Sequence, residues 1–376
     1  MTYSENLSKV IDEVIAPAAR QVDREGKFPR EGLDALGNAG ILGLTVPAEH
    51  GGGGKGMAEA ADTVEQVARA CGSTAMVLMM HYAATAVLAA HGPGSVLSDI
   101  AAGRHLSTLA FSEVGSRSHF WAPVSTAEVD SSAGLSNTVV LNARKSWVTS
   151  AGQADSYVWS SRPIAAEGMM TLWLVPSGAP GLSIPAPFDG LGLRGNASSP
   201  VSASSVRVGA DAQLGDDGAG LDVAFATALP FFLILNAAAS VGLMEAVIAA
   251  TTGHLVETRL EHLNQTLADQ PSARAGLARM RITADSARVL LDDAIAALGA
   301  GRADAQLRLL EVKAAAAEAS IQVTDLAMTV CGGSAFRTDL GIERRFRDAR
   351  AARVMAPTTE ALHDFIGRAL CGLPLM

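Results

Sequence analysis

The stretch Arg347-Asp348-Ala349-Arg350-Ala351-Ala352-Arg353-Val354-Met355-Ala356-Pro357-Thr358-Thr359 decides the reading of this chain. Its end matters for what it lacks. Ala356 carries no ionisable group and cannot accept a proton. Pro357 disfavours helical backbone at the residue before it and pushes Ala356 toward an extended conformation. Ala356 keeps its own N–H, so a backbone donor survives there. Glu360 and Asp364 follow by one and two helical turns and are expected to face elsewhere. Glu360 is the carboxylate nearest in sequence that a proton could reach.

Outward from that stretch, the chain is ordinary globular material. It has 376 residues, 49% hydrophobic and 18% charged, which is enough for two or three packed regions around large cores. A net charge of −9 argues against a nucleic-acid or anionic-membrane surface as partner. Cys71, Cys331 and Cys371 are scattered, with neither disulfide nor zinc spacing, so no metal is expected and a reducing cytoplasm fits. The first residues lack the basic, apolar and small-residue order of a signal peptide. One segment imitates a membrane span: no charged residue lies between Asp222 and Glu245, and FATALPFFLILNAAASVGLM is long enough to cross a bilayer. Pro230, Asn236 and Ser240 interrupt it, and a helix buried in a soluble bundle or subunit interface is expected instead.

The texture divides the chain in three. Residues 1–105 read as an N-terminal helical domain, with helical spacing through Leu7, Val10, Ile11, Val14 and Ile15 and further helices over 57–71 and 72–92. The run Gly51-Gly52-Gly53-Gly54 lacks the Gly and Ser/Thr partners of a phosphate loop and reads as a turn. Residues 106–219 carry short β-prone runs, LSTLAFS, NTVVLNA, YVWSS, MTLWLVP and VSASSVRV, and read as a central antiparallel, barrel-like β domain. Residues 220–376 return to Ala- and Leu-rich helices at 223–259, 271–298, 303–331 and 357–370, as in a four-helix bundle. Helices, then strands, then helices make an α+β chain without alternating βαβ units.

Several motifs, in order, resemble the acyl-CoA dehydrogenase family across nearly the whole chain. Phe111-Ser112-Glu113-Val114-Gly115-Ser116-Arg117-Ser118-His119 is similar to the family's Ser-Glu-Pro-Gly-Ala-Gly-Ser-Asp, and Lys145-Ser146-Trp147-Val148-Thr149 to its Lys-x-Trp-Ile-Thr. Cys331-Gly332-Gly333-Ser334-Ala335-Phe336 resembles its Phe-Gly-Gly-x-Gly-Phe turn, and the opening stretch its Arg-Asp-Ala, six residues, then Glu-Gly-Thr. The resemblance implies FAD, with FMN less favoured. Phe111, Ser112, Trp147, Thr149, Arg259, Gln270, Gly332, Gly333 and Thr358 would contact the cofactor, and Ser118, His119 and Trp121 the substrate. A flavin accepts hydride at N5 and gathers negative charge at N1 and O2, so donors are needed at both loci, and Ser112 and Thr149 on adjacent strands can supply them. The resemblance also implies an acyl-CoA or related substrate, dioxygen or an electron-transfer partner, and a homodimer or homotetramer.

Three departures shape the functional expectation. The family's catalytic Glu is Ala356 here. The position on the first long C-terminal helix that supplies the Glu in some members is Phe232, counted back from Val241-Gly242-Leu243. The family's Arg-x-x-Phe-Gly is degraded to Arg259-Leu260-Glu261-His262-Leu263, and the alignment slips there by a residue. His119-Phe120-Trp121 puts rings where the family has Asp and small residues, so an aromatic or cyclic acyl group could stack there. Three readings follow: a flavin oxygenase or oxidase that has given up the α-proton base, a dehydrogenase with a relocated base, and a non-catalytic subunit completing the FAD site of a paralogue. In the first two, the Ala356 N–H would still hold the thioester carbonyl.

Overall fold

The computed structural model describes residues 2–116, 119–130 and 137–375. The chain opens on α1 (Tyr3–Val10), which runs through a π turn (Ile11–Ile15) into α2 (Ala16–Glu25). Thr2 and Glu5 cap the start reciprocally, with Thr2 Oγ1 accepting from the Glu5 N–H and the Glu5 carboxylate accepting from the Thr2 N–H. Next come α3 (Arg30–Asn38), α4 (Met57–Ala70), α5 (Gly72–His91) and α6 (Gly94–Ala101). The glycine run before α4 is a turn pressed against its own chain. A Cβ on Gly52 would lie 2.2 Å from the Val46 carbonyl oxygen, so only glycine allows that approach.

Among the described residues eight strands follow: β1 (Ser107–Ala110), β2 (Thr126–Val129), β3 (Thr138–Val148), β4 (Ser156–Ser161), β5 (Thr171–Pro176), β6 (Leu182–Ser183), β7 (Ser199–Gly209) and β8 (Gln213–Leu214). They form two four-stranded sheets, ordered β1-β4-β5-β8 and β2-β3-β7-β6. Leu141 and Val148 from β3, Tyr157 and Trp159 from β4, Trp173 from β5 and Val206 from β7 share one buried cluster, so the two sheets close on a common core. One pair departs from the antiparallel expectation: β1 runs parallel to β4, because the chain crosses to the other sheet between them. The β-prone runs of the sequence became β1, β3, β4, β5 and β7. The short edge strands β2, β6 and β8 carry too few residues to announce themselves.

The helical remainder comprises α7 (Gly220–Ala226), α8 (Ala228–Glu257), a two-residue ladder of β9 (Arg259–Leu260) with β10 (Gln265–Thr266), α9 (Pro271–Gly299), α10 (Ala305–Cys331), α11 (Ile342–Val354) and α12 (Thr359–Leu370). Helix α10 packs against α9, α11 and α12. Its alanines 314, 316 and 317 are buried, and small side chains let neighbouring helices come close. Helices α5 and α8 are both long and apolar enough to cross a membrane, but 83% and 78% of their most apolar windows are buried inside the protein. That is the behaviour expected of core helices. By contact, the chain forms two compact units. One comprises Met1–Ala60, Met76–Asp189 and Arg194–Phe232; the other comprises Ala61–Ala75, Gly190–Leu193 and Leu233–Met376.

Candidate functional site

In the first unit the two flavin-type motifs lie side by side. The Ser146 N–H donates to the Ser112 carbonyl at 2.9 Å, and the Val114 N–H to the Arg144 carbonyl at 3.0 Å, so the chain after β1 runs antiparallel beside β3. Beneath them lies a fully buried ion pair. Lys145 Nζ donates to Glu113 Oε1 at 2.5 Å, to the Ser160 carbonyl at 2.7 Å and to Ser160 Oγ at 2.9 Å. The Glu113 carboxylate also accepts from the Val124 and Ser125 N–H groups and from Ser125 Oγ. Burial pushes the Glu113 carboxyl up, but the Lys145 charge and these donors outweigh it and hold it below the usual value. Burial brings the Lys145 ammonium down to about 8 against the pull of Glu113. Both groups are therefore charged at neutral pH, and the pair fixes the two motif strands on each other.

Trp147 sits just beyond that anchor, where the β3–β7 register shifts. The bulge gives it a left-handed φ of 55°, and its side chain is 71% exposed. A large indole held out in a strained backbone has to be put to use or covered. Thr149, two residues on, is buried. Its Oγ1 lies 3.0 Å from Ser198 Oγ, and either atom can be the donor. If Ser198 donates to Thr149, the Thr149 proton is free for a further acceptor. Ser198 was missed by sequence reasoning; it lies in a turn just before β7, where Ala197 also has positive φ and the Ser198 N–H donates to Asn196 Oδ1. Phe111 is buried and stacks on Phe120 at 6.3 Å. Trp121 meets Phe120 at 5.2 Å and His119 at 5.0 Å, both edge-on, so these rings form a connected row. Ser118 lies outside the described residues.

In the second unit the Arg-Asp-Ala motif works as a latch. The Asp348 carboxylate, buried on α11, accepts from the Leu193 N–H at 2.6 Å. Arg347 donates to the Leu191 carbonyl at 3.1 Å. A Cβ on Gly192 would lie 2.5 Å from the Arg347 carbonyl oxygen. The Gly190–Leu193 loop is thereby clamped onto α11, whose C-terminal end leads to Ala356. Ala356 and Thr358 are half-buried and Pro357 is buried. Thr358 caps α12, its Oγ1 accepting from the Ala361 N–H at 3.3 Å. Glu360 starts that helix pointing outward: its side chain is 66% exposed and pairs with Arg353 at 3.4 Å. Phe232, the last residue of the first unit, is buried on α8. Two neighbours of Ala356 were not legible in the sequence. Asn236 of α8 donates from Nδ2 to Met355 Sδ at 3.3 Å. Lys313 of α10 donates to the carbonyls of Met355 and Pro357.

Arg259 and Gln270 meet around the β9–β10 ladder. Arg259 pairs with Thr266 in register and donates to Asn264 Oδ1 at 2.8 Å, while Gln270 donates to Gln265 at 3.2 Å. Asn264 has φ 49°, a conformation that asparagine tolerates better than other non-glycine residues. Gly332 has φ 56° at the end of α10, and a Cβ on Gly332 or Gly333 would meet nothing within 4 Å. The turn is open, with Phe336 77% exposed beside it.

The comparisons with known proteins agree with this geometry. The acyl-CoA dehydrogenase N-terminal, middle and C-terminal domain models match residues 2–95, 108–206 and 218–371. A probable acyl-CoA dehydrogenase of Bacillus subtilis, YngJ, is 28% identical over 370 residues, covering 95% of this chain and 93% of that protein. The butyryl-CoA dehydrogenase of Megasphaera elsdenii superposes with a TM-score of 0.90 at 22% identity, covering 98% of this chain and 97% of that one. The prolyl acyl carrier protein oxidase AnaB superposes at 0.87 with 21% identity, covering 98% of each, so the same fold also serves an oxidase. The chain belongs to the acyl-CoA dehydrogenase superfamily of flavin-dependent oxidoreductases. FAD, the family's usual cofactor, fits what is seen. In the first unit Ser112, the exposed Trp147 and Thr149 are residues that could face a flavin, and in the second unit the open turn at Gly332 and Gly333 leaves room beside it for a phosphate group.

Proposed function

We propose that this protein is a flavin-dependent oxygenase, or failing that an oxidase, acting on an acyl thioester or a cyclic substrate in the cytoplasm as a homodimer or homotetramer. One observation carries the reading: each position from which this family draws an α-proton base is without one. Ala356 has no acid, Phe232 is a buried hydrocarbon, and Glu360 is turned to solvent in a pair with Arg353. Abstraction of an α-proton needs a base within hydrogen-bond reach. A bound flavin supplies hydride acceptance and, once reduced, reaction with dioxygen. The chain's own groups would then bind and orient. In the second unit the Ala356 N–H would take a thioester carbonyl; in the first unit, taken by itself, Trp147 would lie against the flavin ring system and the row from Phe111 through Phe120 and Trp121 to His119 would receive a cyclic group. In the oxygenase case a reduced nicotinamide or a reductase supplies two electrons, one oxygen atom enters the substrate and the other leaves as water. A second reading, a dehydrogenase acting on a thioester with an acidic α-proton, is favoured by the relatives' names and coverage.

The test is spectroscopic. Purified protein is reconstituted with FAD and exposed to acyl-CoA thioesters without oxygen, after which oxygen is admitted. No anaerobic bleaching, followed by oxygen insertion driven by a nicotinamide, supports the oxygenase. Bleaching by an acyl-CoA alone supports an oxidase or the second reading, and rapid reoxidation by the admitted oxygen with release of hydrogen peroxide picks out the oxidase. A protein that retains flavin only beside a paralogue is a non-catalytic subunit. The variant Ala356→Glu restores a carboxylate and is expected to raise anaerobic bleaching by about a hundredfold, at the low end of what a positioned base contributes. If it bleaches no faster with any thioester while keeping its flavin, the thioester assignment at Ala356 is wrong.

A further inference from the structure

A buried cation holds the Ala356 segment from within the helical unit. Lys313 lies in the first half of α10 with no exposed surface. Its Nζ donates to the Met355 carbonyl at 3.0 Å and to the Pro357 carbonyl at 2.8 Å, one on each side of Ala356. These carbonyls are its hydrogen-bond partners among the described residues. A buried ammonium without a carboxylate is costly, and a leucine or methionine would fill the space without that cost. Burial lowers this ammonium to about 7, with Glu360 pulling the other way.

The Met355 carbonyl and the Ala356 N–H belong to one peptide group. That bond is trans; the cis bond in this stretch is the next one, Ala356–Pro357. In a planar trans peptide the C=O and N–H point in opposite directions. A cation bound to the Met355 oxygen therefore aims the Ala356 N–H away from α10. It also polarises that peptide and makes its N–H a better donor. Among the described residues the Ala356 N–H has no protein acceptor. Asn236 steadies the same residue through Met355 Sδ.

We propose that Lys313 is a positioning residue for the thioester: it orients and polarises the Met355–Ala356 peptide so that the Ala356 N–H donates to the substrate's thioester carbonyl. This rests on the reading of Ala356 given above, so the experiment separates the two. Butyryl-CoA and its thioether S-butyl-CoA, which lacks the carbonyl, are titrated calorimetrically into FAD-loaded wild type, Lys313→Met and Lys313→Gln. Circular dichroism melts confirm that each variant is folded. Wild type is expected to prefer the thioester by about tenfold, the worth of one hydrogen bond to a preset donor. Lys313→Met loses that preference and keeps its thioether affinity. Lys313→Gln keeps an N–H donor group but no charge and falls between. A merely structural lysine would weaken both ligands together, and that result overturns the proposal. So does a Met variant that prefers the thioester as strongly as wild type. If the Met variant does not fold, a Gln variant with undiminished preference overturns it instead. A wild type that binds the two alike, or binds neither, sinks the reading of Ala356 itself.

Discussion

Replacing Lys145 with methionine would test whether the buried pair under the flavin-type motifs is what holds them together. The perturbation removes three hydrogen bonds: to Glu113 Oε1 at 2.5 Å, to the Ser160 carbonyl at 2.7 Å and to Ser160 Oγ at 2.9 Å. It leaves a carboxylate of 0% side-chain exposure without its counter-charge. Removing one partner of a buried pair typically costs about 3–5 kcal/mol. Glu113 keeps three other donors, from Val124 and Ser125, which places the expected loss near about 3 kcal/mol. The sign of the pH dependence follows. Without Lys145, burial raises the Glu113 carboxyl above its unfolded value, so the folded variant gains relative stability as the pH falls and loses it as the pH rises through the shifted value. Urea unfolding of the apoprotein, followed by fluorescence of the buried Trp159 and Trp173, reads this directly. The double variant Glu113→Gln/Lys145→Met should recover a good part of the loss. A single-variant loss below about 1 kcal/mol, typical of exposed pairs, would refute the argument.

The remaining predictions concern other parts of the fold. His81 is buried; Ser107 N–H donates to its Nδ1, so its Nε2 carries the proton donated to the Leu42 carbonyl. Burial holds it down to about 4, so stability should fall by about 3 kcal/mol as pH drops from about 6.5 to 4, and His81→Gln should flatten that slope. Gly192→Ala would drive a Cβ into the Arg347 backbone and should cost about 1–3 kcal/mol, measured as a lowered melting temperature. An unchanged melt would show that the latch is looser than described. Glu360→Gln should leave both melting temperature and turnover near wild type, whereas a loss of about a hundredfold would make Glu360 the base.

What was legible in the sequence was local in character. The flavin-type motifs are short runs whose residue types carry their own chemistry, and the long helices declare themselves by period and composition. What the sequence hid depends on residues far apart. Asp348 is part of a recognisable motif, yet its work, receiving the Leu193 N–H, spans 155 positions. Lys145 reads as the first letter of Lys-x-Trp, while its role comes from Glu113, bridged to it beyond β1, and from Ser160 on β4 of the facing sheet. Lys313 looks like an ordinary lysine in an Ala-rich helix, and only its depth in the bundle makes it a clamp on Ala356. Thr149 was read as a flavin donor, and the fold adds Ser198 as the partner that decides where its proton can go.

Trp147 carries a practical consequence. Of the four tryptophans, Trp159 and Trp173 have no exposed surface, while Trp147 is 71% exposed at the edge of its bulge. The protein thus contains its own optical gauge. In the apoprotein the emission of Trp147 should be red-shifted and open to quenching by iodide, over a bluer background from the two interior indoles and the half-buried Trp121. An isoalloxazine laid on that face would quench the red component most strongly. Cofactor occupancy would then be readable from the chain's intrinsic light, with no label and no turnover.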